Sequence, residues 1–160
     1  MNTTLLYLST FSAALMAGLF YAWSISVMPG LKRVSDANFI AAMQAMNRAI
    51  LNPAFFIIFL GSIVVLPLTA FMYYSAMPST QFWYIAFAAL LYLSGTIAVT
   101  FFGNVPLNNA LEAFQLTSAT DEEVKKQRAA FEQRWTNLNL VRTLTSIAAL
   151  LFLLLACLEN

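Results

Sequence analysis

The chain has 160 residues, of which 61% are apolar and 9% are charged, and its formal net charge is +1. Soluble domains carry about 25% charged residues, and a small domain leaves much of its surface in water, so this composition excludes a soluble globular domain and a disordered chain. The sequence contains no His, which excludes His-ligated metal centres and Ser-His-Asp or Cys-His catalysis. What remains is a small integral membrane protein with no nucleic-acid partner.

Charged residues are confined to a few places and so delimit the apolar segments. No charge occurs before Lys32, between Arg48 and Glu112, or between Arg142 and Glu159. About 20 apolar residues in a helix cross the hydrocarbon core of a bilayer, and the long middle run breaks at the polar, proline-containing turn 76–81. We therefore predict one all-α membrane domain, residues 1–160, with spans at about 5–28, 52–74, 82–102 and 138–158.

Two segments between the spans are also predicted to be helical. Ser35 is an N-cap residue for a helix to about Leu51, in which apolar residues recur every three or four positions. Thr120 and Glu123 have the spacing of a capping box, and no helix breaker follows before Leu158. The expected fold is a four-helix transmembrane bundle with an amphipathic helix in the first cytoplasmic loop and a long fourth helix that extends into the cytoplasm.

The basic residues set the expected orientation. All eight Lys and Arg lie within 32–48 and 125–142, which adjoin the first and the third connections between spans. Four spans place these two regions on one side of the membrane, and the positive-inside rule makes that side the cytoplasm. We expect a bacterial inner-membrane protein with both termini outside the cytoplasm. A cleaved signal peptide is the alternative for the first run, although the four residues before it carry no Lys or Arg.

Polar side chains are concentrated at the ends of the spans that adjoin the two basic regions. Arg142 lies about one turn inside the last apolar run. Thr100, Asn104 and Asn108 are four residues apart and form one stripe with Thr96 if the helix continues. The other candidates are Trp23, Ser24, Asn47, Asn52, Trp135 and Asn139. Together they predict a polar pocket at one end of an apolar bundle, with an arginine as its cation, amides as donors and two Trp rings as walls.

Each candidate also has an ordinary structural interpretation. Trp anchors helices at membrane interfaces, Asn-Pro pairs open helices, amides join helices by packing, and Arg near a helix end extends to the surface. For Arg142 we expect a position facing the bundle, because Asn139 and Trp135 share its helix face. Its expected partners are carbonyls or amides near Asn104 and Asn108.

Several motifs are similar to those of the anthrone oxygenase-like membrane proteins. They are the segments at 18–24 (GLFYAWS), 27–31 (VMPGL), 46–47 (MN), 50–53 (ILNP), 95–96 (GT) and 104–108 (NVPLN), together with Trp135, Asn139 and Arg142. The resemblance covers nearly the whole chain. Some fungal members of the family are implicated in oxidising anthrones to anthraquinones without an evident cofactor. The resemblance therefore implies no cofactor and a hydrophobic small molecule as the partner.

The residues are compatible with such chemistry but supply no obvious base. An anthrone that loses a proton gives an electron-rich anion, which passes an electron to dioxygen directly. Arg142 with Asn104, Asn108 or Asn139 would stabilise the oxyanion, whereas no His or intramembrane carboxylate is present to remove the proton. We predict a small-molecule pocket and cofactor-independent oxidation of a hydrophobic aromatic compound, anthrone-like or quinol-like. The alternative is a non-enzymatic membrane protein that binds a lipid or quinone or packs against a partner, and the oligomeric state, including a homo-oligomer, stays open.

Overall fold

The computed structural model describes residues 2–75 and 77–159, and every regular element within them is helical. Ala76, the first residue of the predicted break, and the terminal residues Met1 and Asn160 lie outside the described residues. Helix α1 comprises Asn2–Ala22, a π-helical turn at Trp23–Val27, and Met28–Leu31. Helices α2 and α3 comprise Asp36–Ala49 and Pro53–Tyr73. Helix α4 comprises Thr80–Leu91, π-helical segments at Tyr92–Ala98 and Thr100–Asn104, and Val105–Glu112, and helix α5 comprises Asp121–Leu158.

Four of these helices, α1, α3, α4 and α5, are long and apolar enough to cross a membrane. This confirms the predicted all-α bundle of four spans, and α2 and the long α5 occupy the predicted places between and beyond the spans. With 38 residues, α5 is about 57 Å long, nearly twice the thickness of a hydrocarbon core. Its first half therefore extends beyond the hydrocarbon core, and the chain is an integral membrane protein.

The four long helices form a ring in which α1 packs on α3 and α5, and α4 also packs on α3 and α5. The interior is predominantly apolar along the membrane-crossing length, with Leu6, Leu66, Ile85 and Leu153 fully buried. The outer surface is equally apolar, with large side chains exposed on every span, among them Phe71, Leu90, Phe102 and Leu144. An apolar exterior is the surface that lipid, rather than water, solvates.

A second, smaller core lies at the end of the bundle where the basic residues lie, which we call the charged end. Here α2 turns its apolar face, Phe39, Ile40 and Met43, onto the projecting part of α5. Arg128 of α5 holds α2 in place through Asp36, at 2.8 Å, and through backbone carbonyls of the preceding connection. The amphipathic helix therefore packs on the bundle.

Two of the π-helical turns end two residues before a proline in a helix that continues. Pro29 follows the turn Trp23–Val27, and Pro106 follows the turn Thr100–Asn104. Proline removes one backbone hydrogen bond and its ring collides with the carbonyl four residues earlier, which for these prolines belongs to Ile25 and Phe102. A π turn, with its bonds to the fifth residue, accommodates that defect without ending the helix.

Side chains cap the starts of four helices. Ser35, Asn52, Ser79 and Thr120 each accept a hydrogen bond from the backbone N–H three residues later. At α5 both halves of the predicted capping box are formed, because the Glu123 carboxylate also accepts from the Thr120 backbone N–H at 2.8 Å.

Candidate functional site

A cavity of about 100 Å³ lies inside the charged end of the bundle, among α1, the end of α2, the start of α3, the π-helical part of α4, and α5. Its polar lining combines Asn47, Thr100, Asn104, Asn108 and Arg142. Its apolar lining consists of Leu19, Phe20, Trp23, Met46, Ile50, Leu51, Phe55, Val105 and Trp135. Seven of the ten predicted site residues thus line one cavity, and Ser24, Asn52 and Asn139 do not.

Arg142 faces the interior of the bundle, with 7% of its surface exposed. Its Nη2 donates to Asn139 Oδ1 at 2.8 Å, and its Nη1 donates to Thr100 Oγ1 at 3.4 Å. We expected its partners near Asn104 and Asn108, whereas the amide that accepts is that of Asn139, one turn earlier on the same helix. None of the ion pairs among the described residues includes Arg142.

Aromatic rings flank the guanidinium of Arg142. Its central carbon lies 4.5 Å from the ring centre of Phe20 and 5.3 Å from that of Trp135. Trp135 in turn contacts Trp23, with ring centres 5.0 Å apart. Ring faces attract cations, and more strongly where water is excluded, so these contacts hold the guanidinium in place without a carboxylate.

A hydrogen-bonded network behind the cavity wall fixes Asn139. Its Nδ2 donates to Ser24 Oγ at 2.8 Å and to the Phe20 carbonyl at 3.2 Å. Thr143 Oγ1 lies 2.9 Å from Ser24 Oγ and donates to the same carbonyl at 3.0 Å. Because its amide nitrogen is occupied by α1, Asn139 presents its oxygen to Arg142. Asn139 and Ser24 thus position the cation and do not line the cavity.

Asn104 is the least satisfied polar residue of the cavity. It is 1% exposed, and neither its Oδ1 nor its Nδ2 has a hydrogen-bond partner. Arg142 Nε and Asn47 Nδ2 are likewise buried without a partner. Buried polar groups are nearly always paired, and an unpaired one costs about 1–3 kcal/mol. Four such atoms on three lining residues mark this cavity as a place for a polar group.

Two other predicted amides have protein partners. Asn108 Oδ1 accepts a hydrogen bond from Trp135 Nε1 at 2.9 Å, which ties α4 to α5 across the cavity. Asn52 caps α3, because its Oδ1 accepts from the Phe55 N–H at 3.0 Å and its Nδ2 donates to the Ala49 carbonyl. Its place outside the lining fits the helix-opening interpretation of the Asn-Pro pair.

The π-helical segments keep the polar stripe of α4 on one face. In an α-helix a spacing of four residues overshoots a turn by about 40°, so three such steps would rotate the last residue by about 120°. A π turn contains more residues per turn and cancels this rotation. Thr96, Thr100 and Asn104 are accordingly all buried, and Asn108 is half-buried.

Most of the apolar lining was not predicted from the sequence. Phe20 and Met46 lie within motifs of the family resemblance, and Phe55 lies three residues after Asn52, and these signals could have indicated them. Among residues 2–75 and 77–159, no group of three or more His, Cys, Asp or Glu is arranged to hold a metal ion.

A second pocket, of about 170 Å³, adjoins the first on its outer side. The two share five lining residues, which are Asn47, Ile50, Leu51, Val105 and Asn108. The outer pocket adds Arg48 and Glu112, whose charged groups pair at 2.6 Å across its mouth, and Asn109. We call the two the inner cavity and the outer pocket. A ligand longer than the inner cavity would extend into the outer pocket.

Comparison with known proteins identifies the family. The family model described as anthrone oxygenase matches residues 55–152, more than half of the chain. The chain belongs to the anthrone oxygenase family. The match includes α3 from Phe55 onward, the whole of α4, and α5 as far as Phe152, and with them Thr100, Asn104 and Arg142. The chain matches no curated protein and no solved structure.

Proposed function

We propose that this protein oxidises a hydrophobic aromatic compound, anthrone-like or quinol-like, with dioxygen and without a cofactor. The observation that supports this best is the inner cavity itself. A buried arginine with no carboxylate partner and a buried asparagine with no partner at all line a cavity whose other walls are aromatic and aliphatic. Membership of the anthrone oxygenase family points to the same class of compound.

The oxidation of an anthrone removes four electrons from each substrate and consumes one dioxygen. An anthrone loses a proton from its CH₂ group, and the resulting anion transfers one electron to dioxygen. The ring radical and superoxide then combine in a C–O bond, and protonation gives a hydroperoxide. When its O–O bond breaks and the remaining hydrogen on that carbon is lost, water leaves and the second carbonyl forms. Anthrone and dioxygen thus become anthraquinone and water, and the aromatic ring supplies the electrons.

In this proposal Arg142 and Asn104 stabilise the oxygen on which negative charge develops. Donors held in place in a site that excludes water are effective because they need no reorganisation during the reaction. Asn139 and Ser24 orient Arg142 from behind, and Trp23 and Trp135 form the wall against which the ring lies. The lining of the inner cavity includes no carboxylate, so the proton leaves to water or through the substrate's own acidity.

The dimensions support binding of one end of a fused-ring compound. An apolar cavity of about 150 Å³ holds one benzene, so the inner cavity, at about 100 Å³, accepts the oxygen and only part of the ring that carries it. The remaining rings would lie in the outer pocket, against Ile50, Leu51 and Val105.

The test is oxidation of anthrone by purified protein in lipid nanodiscs. We expect one dioxygen consumed per anthraquinone formed, at a rate above that of empty nanodiscs. Arg142→Lys keeps the charge but loses the planar fork of donors, and we expect kcat to fall about a hundredfold, as when one oxyanion donor is removed. Arg142→Leu should reduce turnover to that of empty nanodiscs.

A matched control is Thr69→Val, which alters a buried hydroxyl paired with Ser9 in the apolar half of the bundle. It should retain full turnover. Wild-type turnover equal to that of empty nanodiscs, or full turnover by both Arg142 variants, would overturn the proposal.

The alternative function is binding of a lipid or quinone without chemistry. The absence of a carboxylate from the inner lining favours it, since no side chain there is an evident base. Native mass spectrometry of the purified protein distinguishes the two. A retained lipid or quinone together with no anthrone turnover would support the alternative.

A further inference from the structure

We infer that the inner cavity selects the hydroxyl-bearing form of its aromatic ligand, a phenol or the enol tautomer of an anthrone, over the ketone, quinone or ether. The inference rests on the proposed binding of an aromatic compound in this cavity, and it adds which chemical form is bound. It concerns binding only and requires no oxidation.

Asn104 has an unused hydrogen-bond acceptor and unused donors. Its two side-chain polar atoms are both buried and both lack a partner. An amide group has one hydrogen-bond acceptor and two N–H donors. Rotating the group by 180°, which swaps the positions of its oxygen and nitrogen, does not change these numbers. The group that satisfies this residue must therefore both accept and donate a hydrogen bond.

The other lining atoms that are buried without a partner are nitrogens. They are the Nε–H of Arg142 and the Nδ2–H of Asn47. The hydroxyl of Thr100 is already committed, because it donates to the Thr96 carbonyl at 2.8 Å. The acceptor on Asn104 is consequently a buried lining atom that only a ligand with an O–H or N–H can satisfy.

The possible ligand groups differ in whether they can donate a hydrogen bond as well as accept one. A hydroxyl on the ring donates to Asn104 and accepts from Arg142 or from the amide nitrogen. A ketone, a quinone oxygen or an ether only accepts, so it leaves the Asn104 oxygen buried and unpaired. That penalty corresponds to about tenfold in affinity.

Selection of the enol also concerns the removal of the proton, for which the lining of the inner cavity contains no carboxylate base. An anthrone and its enol contain the same atoms and electrons, and the enol has one proton on oxygen that the ketone has on carbon. A cavity that binds the enol receives the substrate with its C–H bond already broken. The quinone formed later carries no hydroxyl at this position, so it binds less tightly and leaves.

The experiment measures binding of three matched two-ring probes by equilibrium dialysis against protein in nanodiscs, with empty nanodiscs subtracted. The probes are 1-naphthol, 1-methoxynaphthalene and 1-tetralone, which present a hydroxyl, an ether and a ketone. We expect wild-type protein to bind naphthol about tenfold more tightly than the other two. Equal affinities for the three, or no saturable binding of any, would overturn the inference without recourse to a variant.

Asn104→Leu then assigns the preference to its residue. In this variant the three probes should bind within about twofold of one another, because naphthol alone loses affinity. Thr69→Val is the control and should keep the tenfold preference, since its hydroxyl lies outside the cavity. A preference that survives in a folded Asn104→Leu protein would contradict the assignment. Naphthol selectivity without anthrone turnover would leave this inference standing while the proposed oxidation failed.

Discussion

Arg142 shows how a single charged side chain can be accommodated in an apolar bundle. A charge near hydrocarbon costs a few kcal/mol, and a buried one without its partner costs more. Here one amide oxygen, one hydroxyl and two ring faces surround the guanidinium, and its Nε remains free to bind a ligand. The arrangement orients the charge without neutralising it, which suits a site that stabilises an anion.

Trp135 and Asn108 are joined by a single side-chain hydrogen bond across the cavity. Trp135→Phe keeps an aromatic ring but removes the Nε1–H that Asn108 accepts at 2.9 Å. In a double-mutant cycle with Asn108→Leu, we expect a coupling of about 0.5–1.5 kcal/mol in the free energy of unfolding, the usual net contribution of one hydrogen bond. Unfolding by SDS titration measures it.

Trp23→Phe provides the matched comparison for that cycle, since Trp23 lines the same cavity and contacts Trp135 through its ring. Combined with Asn108→Leu, it should show coupling near zero. Equal coupling in the two cycles would mean that ring packing, and not the hydrogen bond, joins the residues.

At the scale of the elements, the π-helical segments of α1 and α4 shape the site. They allow Pro29 and Pro106 inside continuing helices and keep the stripe of α4 directed inward. The segment Tyr92–Ala98 also brings α4 close to α5 at Gly95, where an added Cβ would overlap Thr145. Since that contact involves the branched Cβ of Thr145 and not a flexible chain end, it cannot relax by a rotamer change alone.

We therefore expect Gly95→Ala to lower the free energy of unfolding by about 1–3 kcal/mol, the usual cost of overpacking. Thermal unfolding in detergent measures the effect. Thr145→Ala in the same chain should recover part of the loss, because it removes the colliding Cγ2 and Oγ1 but keeps the Cβ, which lies 2.5 Å from the added carbon.

Gly61→Ala in α3 is the control for helix propensity. Nothing lies within 4 Å of its added Cβ, so the substitution should be neutral or stabilise the protein by up to about 1 kcal/mol. Destabilisation of similar size at both glycines would show that the close approach of α4 and α5 is not the cause.

At the scale of the whole molecule, the four spans place the cavity at the charged end of the bundle. The apolar half is held by a core of aliphatic and aromatic side chains, whereas the charged end adds α2, the projecting part of α5 and the paired charges of Arg128 with Asp36 and Glu132. A ligand that partitions into the membrane would reach the outer pocket near the level of the bilayer surface.

We predict that the charged end faces the cytoplasm and that both termini lie outside it, because basic residues are retained on the cytoplasmic side. Alkaline phosphatase fused after Asn160 should be active in a bacterial host, and the same enzyme fused after Thr117, in the α4–α5 connection, should be inactive. Green fluorescent protein at the two positions should give the opposite pattern. An inactive phosphatase after Asn160 with a fluorescent counterpart would reverse the orientation.

The sequence by itself determined the number of spans, the extra helix and the length of α5. Apolar runs bounded by charge are long enough for one crossing each, and the caps at Ser35 and Thr120 act within a single turn, so neither requires knowledge of distant contacts. The level of the polar residues along the spans was also predictable, because the rise per residue of a helix is constant. The ends of the helices were less predictable from the sequence. Helix α4 continues to Glu112, beyond the apolar run, because a π turn lets the helix pass Pro106.

Only the tertiary structure decided which of those polar residues line the cavity. Asn52 and Asn139 were predicted at the same level as Asn104, yet one caps a helix and the other positions Arg142 from behind the wall. Level along a helix follows from counting residues, but direction depends on how each helix is rotated against its neighbours. A π turn changes that rotation. Pro67 lies in regular α-helix within α3, so a proline in the sequence does not by itself predict a π turn.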